Sequence, residues 1–268
     1  MPTVIDETKP SVARVYDCFL GGKDHYEVDR EVFQQIDAVV PQMKDLARSG
    51  REWLIRATRF LARSAGMDQF LDLGAGLPSA DNTHQIAQRE NLDARVVYVD
   101  NDPVVAAHGR ALLEENDQTH LVLADLTRPD DVFNHPTVKA AFELDRPLAL
   151  MQCSTIHHVS DDENPQQIMD RYIELLPSGS YVAFIHFHDP EDGGKGTELA
   201  RFVEDIFARG AMGSGYFRTR RQIEGFLRGL ELVEPGLVRL NDWWPGGPRS
   251  TPLTVADNVA LAAVARKP

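Results

Sequence analysis

Cysteine is scarce in this chain. Cys18 and Cys153 are the 2 present among 268 residues. They lie far apart, set no disulfide framework, and argue against secretion. No leader is expected either: Met1-Pro-Thr-Val-Ile-Asp-Glu-Thr-Lys9 holds no basic stretch followed by an apolar one. No apolar run approaches the roughly 18 residues of a membrane span; runs such as Tyr181 to Ile185 are strand-sized. The expected location is therefore the cytoplasm, with no membrane partner. Basic charge is also short. Lys and Arg number 28 against 41 Asp and Glu, a net charge of −13. Phosphate backbones and anionic membranes repel such a surface, so nucleic acid is not the expected partner. Repeats and low-complexity tracts are absent. What is left is a globular composition, 43% hydrophobic and 26% charged, which excludes collagen, coiled coil and wholesale disorder.

The chain divides by rhythm. Residues 1–11 are polar and read as loose, while 11–65 read as helical. Ser11 is placed to cap a helix that carries Val12, Val15, Tyr16, Phe19 and Leu20 on one face and stops at Gly21-Gly22. A second helix is expected from Tyr26 to Val39, before Pro41. A third carries Trp53, Leu54, Ala57, Phe60 and Leu61 at spacings of three and four. From residue 66 strands and helices alternate. Strands are expected at 69–73, 95–100, 120–124, 147–151 and 180–186, with strand-like stretches at 231–239 and 257–265. Helices are expected near 82–90, 103–115, 164–176, 196–209 and 219–229. This alternation implies βαβ units and a mostly parallel sheet covered on both faces.

The strongest motif is Asp72-Leu73-Gly74-Ala75-Gly76 at the end of the first strand. Glycines there let the backbone turn tightly and approach a ligand. The helix that follows favours an anionic ligand group. Asp100 closes the second strand, where an acid accepts the hydroxyls of a ribose, and Asp125 closes the third. In an open α/β sheet these ends meet at the ligand-binding edge. A dinucleotide fingerprint needs a third glycine, but Ser79 stands at that position. This counts against an NAD(P)-dependent oxidoreductase.

An acid two residues before the first glycine looks instead like the first motif of class I S-adenosylmethionine (SAM)-dependent methyltransferases. Asp72, Gly74, Gly76, Asp100 and Asp125 match that pattern place by place. The stretch from Ala13 to Arg30, with Leu20-Gly21-Gly22-Lys23-Asp24 inside it, resembles the N-terminal signature of the bacterial S-adenosyl methyltransferase family. So do Phe70 to His84 and Val96 to Pro103. The chain departs from the family pattern at Cys18 and at Ser49-Gly50, before Arg51.

The resemblance implies a Rossmann-like α/β fold of the class I methyltransferase type. That sheet is mostly parallel, with seven strands and the last antiparallel. Residues 1–65 are expected as a helical cap or lid and 66–268 as the SAM-binding domain. The resemblance also implies S-adenosylmethionine as cofactor, S-adenosylhomocysteine as product, and methyl transfer to an oxygen or nitrogen of a small molecule. A SAM-binding regulator without catalysis is the non-enzymatic alternative.

Cofactor contacts are expected from the Gly74-Ala75-Gly76 loop, Asp72, Asp100, Asn101, Asp125 and Leu126. Tyr16, Gly22, Lys23 and Arg51 are expected as a lid, with Lys23 or Arg51 on the methionine carboxylate and Tyr16 near the sulfonium. Asp72 either braces its loop or touches the ligand; Gly21-Gly22-Lys23 is alternatively a plain helix end. Cys153, His157 and His158 follow the fourth strand and should face the transferred methyl group. Either histidine suits a general base at neutral pH; a packed and an exposed histidine is the bland alternative. His186 and His188 alternate on one strand and so share a face, which makes a metal conceivable, but none is assigned. Trp243-Trp244-Pro-Gly-Gly lines an acceptor pocket or forms a hydrophobic turn.

Overall fold

The computed structural model describes residues 6–78, 81–112, 116–244 and 252–268. Among the described residues nine strands form one sheet: β1 (Gln69–Leu73), β2 (Arg95–Asp100), β3 (Thr119–Leu123), β4 (Ala149–Cys153), β5 (Tyr181–Asp189), β6 (Arg218–Thr219), β7 (Glu231–Leu232), β8 (Val238–Arg239) and β9 (Ala260–Arg266). The main path runs β3-β2-β1-β4-β5-β9-β7. β1 to β5 are parallel. β9 enters antiparallel between β5 and β7. This is the expected seven-strand path, with β6 and β8 as short additions.

Ten α-helices accompany the described strands: α1 (Val12–Leu20), α2 (Glu27–Asp37), α3 (Met43–Arg59), α4 (Thr83–Glu90), α5 (Pro103–Leu112), α6 (Pro129–Asn134), α7 (Pro136–Ala141), α8 (Pro165–Leu175), α9 (Lys195–Ala208) and α10 (Arg220–Phe226). α3 runs on into a π-helical turn at Phe60–Ser64.

Strand parity decides which face each residue serves. Phe70, Val96 and Tyr98 pack on one face with Trp53, Leu61, Ile86 and Val203. Leu71, Leu73, Val97 and Val99 pack on the other with Val132, Ile168, Tyr172 and Phe226. The N-terminal helices, α4 and α9 therefore cover the first face, and α6, α7, α8 and α10 the second. By the same alternation Asp72 and Asp100 belong to the face that the N-terminal helices cover. Their carboxylates are held under those helices rather than in open solvent.

Local deviations have physical causes. Gly21 ends α1 in the left-handed region, φ 77°, with its N–H turned to helix carbonyls. Ser11 stands at the start of α1 but does not cap it with its side chain; its hydroxyl donates to the Asp102 carboxylate. β4 begins two residues later than expected, because Pro147 has no N–H and Leu148 N–H donates to Ser180 Oγ. The stretch 231–239 divides into β7 and β8. α6 and α7 were not anticipated; both start on proline at the first helical position. Residues 1–5 of the expected loose segment, Ser79, and the end of the 103–115 helix lie outside the described residues.

Candidate active site

The carboxyl ends of β1 to β5 open on one cavity of about 790 Å³. Small-molecule sites span roughly 300–1,000 Å³. Tyr16, Arg51, Asp72, Gly74, Ala75, Gly76, Asp100, Asn101, Asp125, Leu126, Cys153, His157 and His158 all line it. Gly22 and Lys23 do not.

The β1 loop is fixed by its glycines. Gly74 and Gly76 have φ of 73° and 64°. A Cβ on Gly74 would lie 2.2 Å from Thr155 Cγ2, so the loop packs flush on the turn after β4. A Cβ on Gly76 would meet nothing within 4 Å. Gly76 N–H donates to Asp100 Oδ2 at 2.9 Å, and Asp102 N–H donates to Oδ1 at 2.9 Å. Both oxygens are thereby oriented. Burial pushes the Asp100 carboxyl up, opposed by these two hydrogen bonds.

Asp72 is also buried. Thr83 Oγ1 donates to its Oδ2 at 2.6 Å, tying β1 to the start of α4. Burial pushes its carboxyl up to about 6, against the pull of Thr83 and the Arg51 charge. Asp125 is exposed; its Oδ1 accepts from Thr127 N–H and hydroxyl.

From α1, the Tyr16 hydroxyl donates to Ala47 O at 3.2 Å, and burial pushes it up to about 12. From α3, Arg51 donates to Asp81 O at 3.0 Å. Burial also pushes the Cys153 thiol well up. Tyr16 and Cys153 are thus neutral at pH 7.

The two histidines differ. His157 is 1% exposed, and its Nδ1 accepts from Phe187 N–H at 3.3 Å. Its ring stacks on Phe187 with centroids 3.7 Å apart. His158 is half-buried, with Nδ1 3.0 Å from Ser214 Oγ. Burial pushes His157 well down and His158 down to about 4. Both are neutral imidazoles at physiological pH.

Gly22 and Lys23 fall outside the cavity for a structural reason. Asp17 folds over the turn after α1, and Asp24 N–H and His25 Nδ1 both meet its Oδ2, at 3.0 and 2.8 Å. A Cβ on Gly22 would lie 1.8 Å from Asp17 Oδ1. Gly22 makes room for that carboxylate, and Lys23 is exposed. Trp243 is fully buried against Trp53 and Phe60, away from the cavity. Pro245, Gly246 and Gly247 lie outside the described residues. His186 Nδ1 donates to Phe187 O and its Nε2 accepts from Arg218, while His188 Nδ1 donates to Asn258 O. Among the described residues no group of three or more His, Cys, Asp or Glu is placed to hold a metal.

Two features escaped the sequence. Arg14, 3% exposed, donates through Nε to Asp29 Oδ2 at 2.7 Å and lies 3.9 Å from the Asp102 carboxylate. With Ser11 it binds α1 and α2 to the loop after β2. Arg218, also 3% exposed, donates to Val159 O, Asp161 and His186. It braces the turn that carries His157 and His158.

Comparison with known proteins gives the class. The family model described as S-adenosyl methyltransferase matches residues 1–268. A crystal structure from Thermobifida fusca YX, provisionally assigned as a methyltransferase, is 39% identical over 97% of this chain and 95% of its own, with a TM-score of 0.89. A DUF574 family protein from Streptomyces avermitilis MA-4680 is 36% identical over 99% of this chain and 100% of its own, TM-score 0.91. The N-methyltransferase NodS from Bradyrhizobium japonicum WM9, solved with S-adenosyl-L-homocysteine, shares the fold at 13% identity and TM-score 0.51, covering 95% of this chain and 99% of its own. No match was found among the curated proteins. Among the described residues no helix is long and apolar enough to cross a membrane. The chain belongs to the S-adenosyl methyltransferase family and is a SAM-dependent methyltransferase with the Rossmann-like class I sheet.

Proposed function

We propose that the chain methylates an oxygen or nitrogen of a small molecule, with the cofactor over β1 to β3 and the acceptor over β4, β5 and β9. The observation that carries this reading is the continuity of a single cavity from Asp100 to the neutral pair His157 and His158. The residues present fit the cofactor. Each Asp100 oxygen accepts one backbone N–H and keeps a second lone pair for a ribose hydroxyl. The space beside Gly76 is open. Asp72 and the Tyr16 ring provide the negative charge and π-face that a sulfonium favours. Arg51 is the lining cation suited to the methionine carboxylate, and Asp125 with Leu126 edges the adenine end.

Bound SAM supplies a methyl carbon whose bond to sulfur breaks as the acceptor's lone pair bonds to it, sulfur keeping the electron pair and S-adenosylhomocysteine remaining. The protein's part is alignment and exclusion of water. His158 takes the acceptor's proton through Nε2 when its Nδ1–H donates to Ser214 Oγ. Calorimetric titration with SAM tests the cofactor assignment, with Asp100→Ala as control. One-site binding that the variant loses is expected; an absence of heat for the wild-type chain sinks the reading. Turnover on phenols and amines, read as S-adenosylhomocysteine release, tests the acceptor assignment, and release lost in His158→Gln is expected.

A further inference from the structure

We infer that the acceptor is an uncharged, flat, largely apolar molecule that presents one hydroxyl to His158. This rests on the methyl-transfer reading and adds the acceptor's chemical class to it. The end of the cavity beyond β4 is walled by Phe187 on β5, Phe207 on α9, Met212 and Leu240, with Phe19 of α1 and Met43 of α3 contributed from the N-terminal helices.

Its shape is planar. His157 stacks on Phe187 with an interplanar angle of 13°. Phe187 stacks in turn on Phe217 at 4.7 Å and 8°, and lies nearly parallel to Phe207, at 9°. Phe187 hangs from β5 in the middle of the sheet with His157 on one face and Phe217 on the other, so the stack is fixed and turns ring edges to the cavity. A flat ring packs edge-to-face against such a wall.

Its charge is absent. From β4 onward no lysine or arginine stands among the described lining residues; the lining cations Lys9, Arg14 and Arg51 come from the N-terminal segment and helices, where Arg14 is paired with Asp29 and Arg51 acts on Asp72. Arg218 lies behind His186 and is taken up by Asp161 and Val159 O. The lining carboxylate of this end, Glu163, is exposed and accepts from Ser160 N–H and hydroxyl. An acceptor carrying a carboxylate or phosphate would be desolvated with no cation at this end to meet it, and an ammonium would find no buried acid there other than Asp72, which the proposed placement gives to the sulfonium. The polar atoms left on this end belong to His158 and the turn that precedes it. They match a hydroxyl, whose proton passes to Nε2 as its oxygen takes the methyl group.

The test uses the full chain saturated with S-adenosylhomocysteine and two probes. One is 2-naphthol; the other is 3-hydroxy-2-naphthoate, the same ring bearing a carboxylate. Titration by naphthol fluorescence is expected to show saturable 2-naphthol binding, about tenfold or more tighter than the carboxylated probe. With SAM in place of the product, 2-methoxynaphthalene is expected by mass spectrometry. Met212→Lys places a cation on the apolar wall and should reverse the preference between probes. Its S-adenosylhomocysteine affinity and melting temperature report that fold and cofactor half are intact. Tighter or equal binding of the carboxylate overturns the inference. So does a lack of 2-naphthol binding in protein that binds S-adenosylhomocysteine, or an unchanged preference in a folded Met212→Lys protein. Failure to bind S-adenosylhomocysteine at all overturns the underlying reading, and is told apart by that measurement alone.

Discussion

Replacing Asp72 by asparagine should stabilise the chain at neutral pH and leave it unchanged near pH 4. Asp72 is 6% exposed. Its folded pKa is about 6 against an ordinary 3.8, with burial as the main cause. Below 3.8 the folded and unfolded chains both hold the proton, and no penalty arises. Between 3.8 and 6 the folded chain keeps a proton that the unfolded chain has released, so stability falls as pH rises. Above 6 the penalty is complete. At about 1.4 kcal/mol per pKa unit, the two-unit gap makes it about 3 kcal/mol. Asparagine copies the neutral acid in shape, and its amide oxygen still accepts from Thr83. The variant therefore escapes a penalty that the wild type carries.

Urea unfolding of both proteins at pH 4, 5, 6 and 7 reads this directly. Other titrating groups largely cancel in the difference between the two. That difference should be near zero at pH 4 and favour the variant by about 3 kcal/mol at pH 7. A difference that stays flat with pH, or a variant less stable at pH 7, refutes the reasoning. The same substitution should weaken cofactor binding. Asp72 lines the cavity; in the proposed placement its charge attracts the sulfonium of SAM but has no sulfonium to attract in S-adenosylhomocysteine. The loss in affinity should therefore be larger for SAM, a stability gain coupled to a functional cost.

Three other substitutions probe the frame around the cavity. Gly74→Ala adds a Cβ 2.2 Å from Thr155 Cγ2 at a φ of 73°. About 1–2 kcal/mol of backbone strain and about 1–3 kcal/mol of overpacking should lower the melting temperature and weaken S-adenosylhomocysteine binding; an unchanged melt contradicts this. Arg14→Met leaves the fully buried Asp29 with only the backbone N–H groups of Ser11 and Tyr26, and should cost about 3–5 kcal/mol in urea unfolding. Adding Asp29→Leu should recover part of that loss, and no recovery would mean that the ion pair is not the source. Arg218→Gln should loosen the turn that carries His157 and His158. Turnover of 2-naphthol is expected to fall by up to about a hundredfold with S-adenosylhomocysteine affinity unchanged. Equal losses in both would assign Arg218 to overall stability instead.

The central sheet was legible because its chemistry is local. β1 and β2 are buried on both faces, so they read as continuous apolar runs that end in Asp or Gly. The Asp72, Gly74, Gly76 and Asp100 cluster follows from those ends alone. α6 and α7 left a signal that went unused: Pro129 and Pro136 open them, and Asp130 and Asp131 sit in the first turn of α6. The cavity wall beyond β4 left none. In sequence, Phe187, Phe207 and Met212 look like any core residues; only the tertiary path places them around one space.

The latch formed by Arg14, Asp29 and Asp102 stands between these cases. Arg14 and Cys18 are four apart on α1, and Val15 and Phe19 flank them on the buried stripe. An arginine on that stripe is carried out of water whatever covers it. A guanidinium does not lose its proton on burial, so an acid must meet it. That much follows from a helical period and one residue type. Which acid answers does not, because Asp29 arrives with α2 and Asp102 with the loop after β2. The N-terminal segment reads as loose from its polarity, yet Lys9 O accepts from Arg14 and Ser11 donates to Asp102. Its polar groups help to hold α1 and α2 to the loop after β2.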